Sequence, residues 1–123
     1  MSEPVTAPLT ASPVSVADAA VPGWTFGDSA ATPWQTLSGD VRLKMLGAAD
    51  GKVIAIFQFD AGYVGGTHHH FEPEFSYVLE GSVVSQGVLM TAGCTYAAQA
   101  GTDHLEFRSP EGCTLVSVFK APS

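Results

Sequence analysis

The chain has 123 residues and a net charge of −7, from 12 acidic against 5 basic side chains, which argues against a nucleic-acid surface or an anionic membrane surface. Its length suits one domain with a single core, and no stretch approaches the roughly 20 apolar residues of a spanning helix. With 46% apolar residues, 13 glycines and 8 prolines, the composition favours many short strands and turns over long helices.

Residues 1–22, rich in Ala, Pro, Ser, Thr and Val without amphipathic period, are expected to form a flexible arm, leaving residues 23–123 as the folded domain. The N-terminus also lacks the basic and apolar regions of a secretory signal. Cys94 and Cys113 both fall in apolar strand contexts and read as buried small hydrophobes in a reducing cytoplasm, ahead of a disulfide or a catalytic thiol. Between Pro22 and Trp34, two tryptophans and Phe26 stand among Gly and Pro, an irregular segment tacked onto the core. Strands are then predicted over 41–46, 53–60, 67–70 and 75–79, one or two within 83–90, and over 95–98, 104–107 and 114–119.

Turn chemistry separates them: Asp50-Gly51, Gly65-Gly66, Glu80-Gly81, Ala92-Gly93, Ala100-Gly101 and Pro110-Glu111-Gly112. Short strands at this spacing argue for an all-β sandwich or small barrel. No internal repeat duplicates the polar residues described next, so one metal ion per chain is expected.

Those residues sit in a frame of glycines that reads Gly62-x5-His68-x-His70-x3-Glu74-x6-Gly81, then Gly93-x5-Gln99-x-Gly101-x2-His104. Three imidazoles and a carboxylate suit a first-row divalent metal. Side chains alternate along a strand, so His68 and His70 share a face and can clamp one ion from one wall of a sheet. His69 points the other way and is expected to be solvated or to pack.

The two framed segments resemble the paired motifs of the cupin superfamily at nearly every defining position from Gly62 to His104. The resemblance implies a cupin double-stranded β-helix, a jelly-roll-like barrel of about six to eight strands, with His68, His70, Glu74 and His104 as ligands near its centre. Two positions depart from the pattern: Gln99 stands where proline is usual, and Arg108 where asparagine is. Neither is a ligand, but both could reshape the barrel mouth. Within the superfamily, the stretches around residues 41–46 and 70–81 are similar to small single-domain cupins of the acetylacetone-cleaving type, to polyketide-pathway cupins and to the metal-binding domain of some anti-sigma factors. Small cupins of this kind imply a homodimer.

Strand parity proposes further site residues. Glu106 and Arg108 share the face of His104 unless a bulge intervenes, so Glu106 is a candidate proton acceptor, with a rim salt bridge to Arg108 as the alternative. Gln58 interrupts an apolar strand, and a buried amide needs partners, so it is a candidate contact to substrate. Arg42 and Lys44 form a same-face basic pair. Either they contact an anion at the barrel mouth, or they guard a sheet edge, the preferred reading. Tyr63 and Tyr96 are possible pocket phenols, and Phe57 and Phe59 are read as core before pocket.

These residues fit a metal-dependent enzyme acting on a small oxygenated molecule. The leading form is an Fe(II) dioxygenase-type cupin that cleaves a β-dicarbonyl or hydroxy-ketone, with Glu74 and Glu106 as catalytic carboxylates and Arg42, Gln58, Tyr96 and Arg108 near the substrate. Fe(II) is favoured and Zn, Mn or Ni also suit the donors. A non-oxidative cyclase, isomerase or lyase and a non-catalytic ligand-sensing cupin are the alternatives. Neither nucleic acid nor membrane is expected as a partner.

Overall fold

A computed structural model describes residues 12–121. Eleven strands run in order: β1 (Gln35–Ser38), β2 (Val41–Ala49), β3 (Lys52–Phe59), β4 (Tyr63–Val64), β5 (His68–His69), β6 (Glu74–Ser85), β7 (Val88–Thr91), β8 (Thr95–Ala98), β9 (Asp103–His104), β10 (Phe107–Ser109) and β11 (Cys113–Lys120). The count exceeds the expected six to eight because several pieces are only two or three residues long. The described residues form no α-helix, only two short 3₁₀ turns, Val16–Asp18 and Ser29–Ala31. No helix among them is long and apolar enough to cross a membrane.

All pairings are antiparallel, and the main sheet runs β1-β2-β3-β11-β6-β10-β4, with β7 and β8 also paired to β6 and β5-β9 forming a separate ladder. β6 joins the two walls of this curled sheet. Its first half pairs with β11 and β8, and its second half with β7 and β10. Sequence reading ends that strand at Leu79 and makes Glu80-Gly81 a turn; instead the strand bends and continues. A register shift opposite Thr114/Leu115 and a positive φ of 75° at Gly81 produce the bend. Any Cβ there would collide with the Gly112 carbonyl, so glycine is required.

Period-2 alternation builds the core. Val78, Val83, Met90, Phe107, Cys113 and Leu115 form the buried cluster, with Phe57, Phe59, Tyr63, Cys94 and Tyr96 packed against it. Each fully buried side chain of this size stabilises the fold by about 1.5–3 kcal/mol. Two polar pairs are sealed into this interior: Ser76 Oγ lies 2.6 Å from Ser117 Oγ, and Ser109 Oγ donates to Ser82 O at 2.6 Å. Both cysteines are free, and burial pushes the Cys113 thiol up to about 11.

Residues 83–90 form a hairpin whose Gln86 and Gly87 both have positive φ (53° and 75°), so the region holds two strand pieces. The segment from Pro22 to Trp34 is irregular and attached to β2, as expected: Lys44 Nζ donates to Ser29 O at 2.5 Å and stands 4.6 Å over the Trp34 ring. β1 lies beside β2, so Lys44 and Arg42 are not on the sheet's edge strand. Of the expected arm, residues 1–11 lie outside the described residues; most side chains of residues 12–22 are exposed.

Candidate metal centre

The β5-β9 ladder sets His68 opposite His104, and the backbone of His70 continues it by donating to Thr102 O at 2.8 Å. Alternation and cross-strand pairing thus bring three imidazoles to one spot, and Glu74 joins them as the first residue of β6. Ring centroids lie 4.8 Å apart for His68–His70 and His68–His104, and 5.3 Å for His70–His104. His68 Nε2 is 3.0 Å from His70 Nε2, and His70 Nε2 is 3.6 Å from a Glu74 oxygen. One potential ligand atom from each of the four lies within 4.8 Å of the others. His69 faces outward and pairs with Asp103 at 2.6 Å.

Hydrogen-bond bookkeeping orients two of the rings. Ser85 Oγ donates its single proton to Glu106 O at 2.9 Å, so it can only accept from His104 Nε2, 2.7 Å away. The neutral His104 ring then carries its proton on Nε2. Its Nδ1 keeps a lone pair and is the one buried side-chain polar atom without a partner among the described residues. Thr102 does the same for His70: its hydroxyl donates to Gln99 O at 2.7 Å and accepts from His70 Nδ1 at 3.2 Å, leaving Nε2 toward the cluster. Burial, chiefly, and then His68 hold the His104 imidazolium below its usual range, so the ring is neutral.

An orphaned buried nitrogen beside two converging imidazole nitrogens and a carboxylate is what a divalent cation resolves, so these donors fit one ion per chain. Tyr96 adds a fixed donor: its hydroxyl gives a 2.8 Å hydrogen bond to Glu74 Oε2. Burial, followed by the Glu74 charge, raises that phenol well above its ordinary range, so it stays protonated.

The cluster borders a cavity of about 520 Å³ walled by Phe57, Phe59, Tyr63 and Phe107. A groove of about 850 Å³, which His70 and His104 also line, runs along Val88, Leu89 and Met90. Tyr96 and His104 line both. Tyr96 therefore borders the space beside the cluster, and the two phenylalanines of β3 are both core and wall.

The other expected contacts lie elsewhere. β9 ends at His104 and β10 begins at Phe107, so the two-residue break at Leu105-Glu106 shifts the alternation. Phe107 takes the inward position, 5.4 Å from His104. The Glu106 carboxylate accepts from Gly87 N at 2.7 Å and from Arg108 Nε at 3.2 Å, and lines neither cavity. Those two donors, the Gly87 amide first, hold it below the usual carboxylate range. Gln58 and Arg42 face out on the far side of the sheet. Arg42 Nε donates to Gln58 Oε1 at 2.9 Å, so the amide oxygen meets a guanidinium, and neither residue lines the cavity beside the cluster. Ser85 and Thr102 were missed, because only tertiary pairing shows which ring each hydroxyl meets.

Residues 24–122 match the family model described as the ChrR cupin-like domain. No curated protein matches significantly in sequence. An RmlC-like cupin from Shewanella frigidimarina superposes with a TM-score of 0.69 at 29% identity, covering 79% of this chain and 90% of its own. An acetylacetone dioxygenase from Acinetobacter johnsonii gives a TM-score of 0.62 at 16% identity over 98% of this chain and 80% of its own. The anti-sigma ChrR, solved with SigE from Rhodobacter sphaeroides, gives 0.63 at 21% over 71% of this chain and 48% of its own. These matches agree with the glycine-framed motifs and the curled all-β sheet, and the chain belongs to the cupin superfamily, within the ChrR cupin-like family.

Proposed function

We propose that this protein is a metal-dependent enzyme that cleaves a small β-dicarbonyl or hydroxy-ketone with dioxygen. One observation carries the reading: the His₃Glu cluster borders a roomy, aromatic-walled cavity, where a purely structural metal would sit in a closed cage. The fold shared with an acetylacetone dioxygenase supports it. A divalent ion held by His68, His70, Glu74 and His104, with Fe(II) favoured and Zn, Mn or Ni also suited, would polarise a chelating oxygen pair and, where redox-active, supply the chemistry with dioxygen.

The chain's own residues do the rest. Ser85 and Thr102 keep their imidazoles in the tautomers that turn a lone pair inward. Glu74 is the carboxylate that lines the cavity, so it takes the acidic proton of the substrate and passes it to solvent, returning to the carboxylate while Tyr96 holds Oε2. The walls of Phe57, Phe59 and Phe107 exclude water from the reacting carbons. A cytoplasmic homodimer is part of the same proposal.

The family match favours a second reading, a ligand-sensing domain without turnover. Metal analysis, then oxygen uptake with 1,3-diketones and aromatic hydroxy-ketones under Fe(II), tests both. Near-stoichiometric metal with substrate-dependent oxygen uptake supports the dioxygenase. Conversion without oxygen uptake points to an isomerase, cyclase or lyase, and saturable binding without conversion to sensing. Protein that holds no metal after Fe(II) or Zn(II) reconstitution rules out the enzyme reading.

A further inference from the structure

We infer that the cavity beside the cluster takes an aryl-bearing chelator whose only negative charge lies on its chelating oxygens, and that it rejects ligands carrying a second anionic group. This rests on the proposed chelation of substrate and narrows it to a chemical class.

Charge comes first. None of the five basic residues lines the cavity. Arg42 is engaged by Asp60 and Gln58, Lys44 by Ser29 and Trp34, Arg108 by Glu106 and Lys120 by Glu72, while Lys52 stands at the far end of β3. Among the described residues, Glu74 is the one carboxylate in the wall. With a divalent ion, the site carries a single net positive charge, which one enolate neutralises. A further carboxylate or phosphate on the ligand would be desolvated beside Glu74 with no cation to meet it.

Shape comes second. Phe59 lies 4.7 Å from Tyr63 and 4.9 Å from Phe107, and Phe107 in turn packs edge-on against His104 at 5.4 Å. Ring faces and edges therefore continue from the ligand cluster into the cavity. At about 520 Å³ the space exceeds what a five-carbon diketone fills and suits one with an aromatic substituent.

The test uses the full chain loaded with Zn(II), titrated calorimetrically with acetylacetone, 1-phenyl-1,3-butanedione and the para-carboxyphenyl analogue of the latter. The phenyl compound is expected to bind about tenfold or more tighter than acetylacetone. The carboxyphenyl compound should bind at least about a hundredfold more weakly than the phenyl one. Phe59→Leu should lower the ratio of phenyl-compound to acetylacetone affinity, with both measured on the same Zn(II)-loaded variant. Equal affinity for the two uncharged ligands overturns the aryl pocket, and undiminished binding of the carboxyphenyl analogue overturns the charge rule; either result leaves the proposed chelation standing. Failure of all three ligands on stoichiometrically loaded protein overturns both.

Discussion

The two faces of β3 carry two pockets of opposite character. Outward, Gln58 sits among Arg42, Asp60, Glu80 and Glu111 in a polar hollow of about 350 Å³. Its main groups answer one another: guanidinium to amide and guanidinium to carboxylate. Inward, Phe57 and Phe59 wall an apolar space whose notable polar atom, His104 Nδ1, has no partner. Charge marks the first pocket and an unmet lone pair marks the second. A set of polar groups that satisfies itself has little left to offer a ligand, whereas a buried unsatisfied nitrogen is costly until something binds it.

The sharpest break of this contrast is a matched pair of substitutions. His104→Ala should drop metal content to background and abolish turnover, while Arg42→Ala on the outer face should leave both near wild type. Metal analysis of the two purified variants decides. Full metal retention by the His104 variant would remove the inner site from consideration, and a large loss in the Arg42 variant would mean the outer pocket contributes.

Next in size are the hydroxyls that orient the rings. Ser85→Ala and Thr102→Val should each weaken metal affinity about 10–100-fold, measured by chelator competition. Ser85→Thr should recover most of the loss. Nitrogen-15 NMR of the metal-free protein should find His104 protonated on Nε2 and His70 on Nδ1; the opposite tautomers would sink the bookkeeping. Tyr96→Phe follows with a smaller effect, up to about tenfold, because Glu74 keeps its position in β6 and loses one donor.

Much of this was legible before the structure. The four residues that cluster could be named because strand alternation and glycine turns are local properties that a spacing records directly. The long strands β2, β3 and β11 announced themselves by apolar runs between turns. β1 and β4 did not, since the one is fully exposed and the other two residues long. Parity holds only along an unbroken strand: the break after His104 turns Glu106 outward into the alternative rim salt bridge with Arg108, and Gln58 is a polar residue in an apolar strand whose inner face belongs to the phenylalanines. Ser85 and Thr102 lie 19 and 32 residues from the rings they orient, so no local pattern joins them.

The smallest expected effect belongs to the outer pocket and concerns acid. The Arg42 hydrogen bond, ahead of its charge, holds the Asp60 carboxyl below the ordinary carboxylate range. A carboxyl with a depressed native pKa binds fewer protons folded than unfolded, so the pair's contribution is fully present above the unfolded value of about 4 and is lost as pH falls through the native one. Urea midpoints of metal-free wild type and Arg42→Ala should therefore differ slightly at neutral pH and converge on acidification. Metal must be absent, because metal binding is itself pH-dependent and would add to the difference. A gap that persists unchanged at low pH would mean Arg42 supports the sheet through its packing against β3, and that the outer pocket's charges contribute nothing to stability.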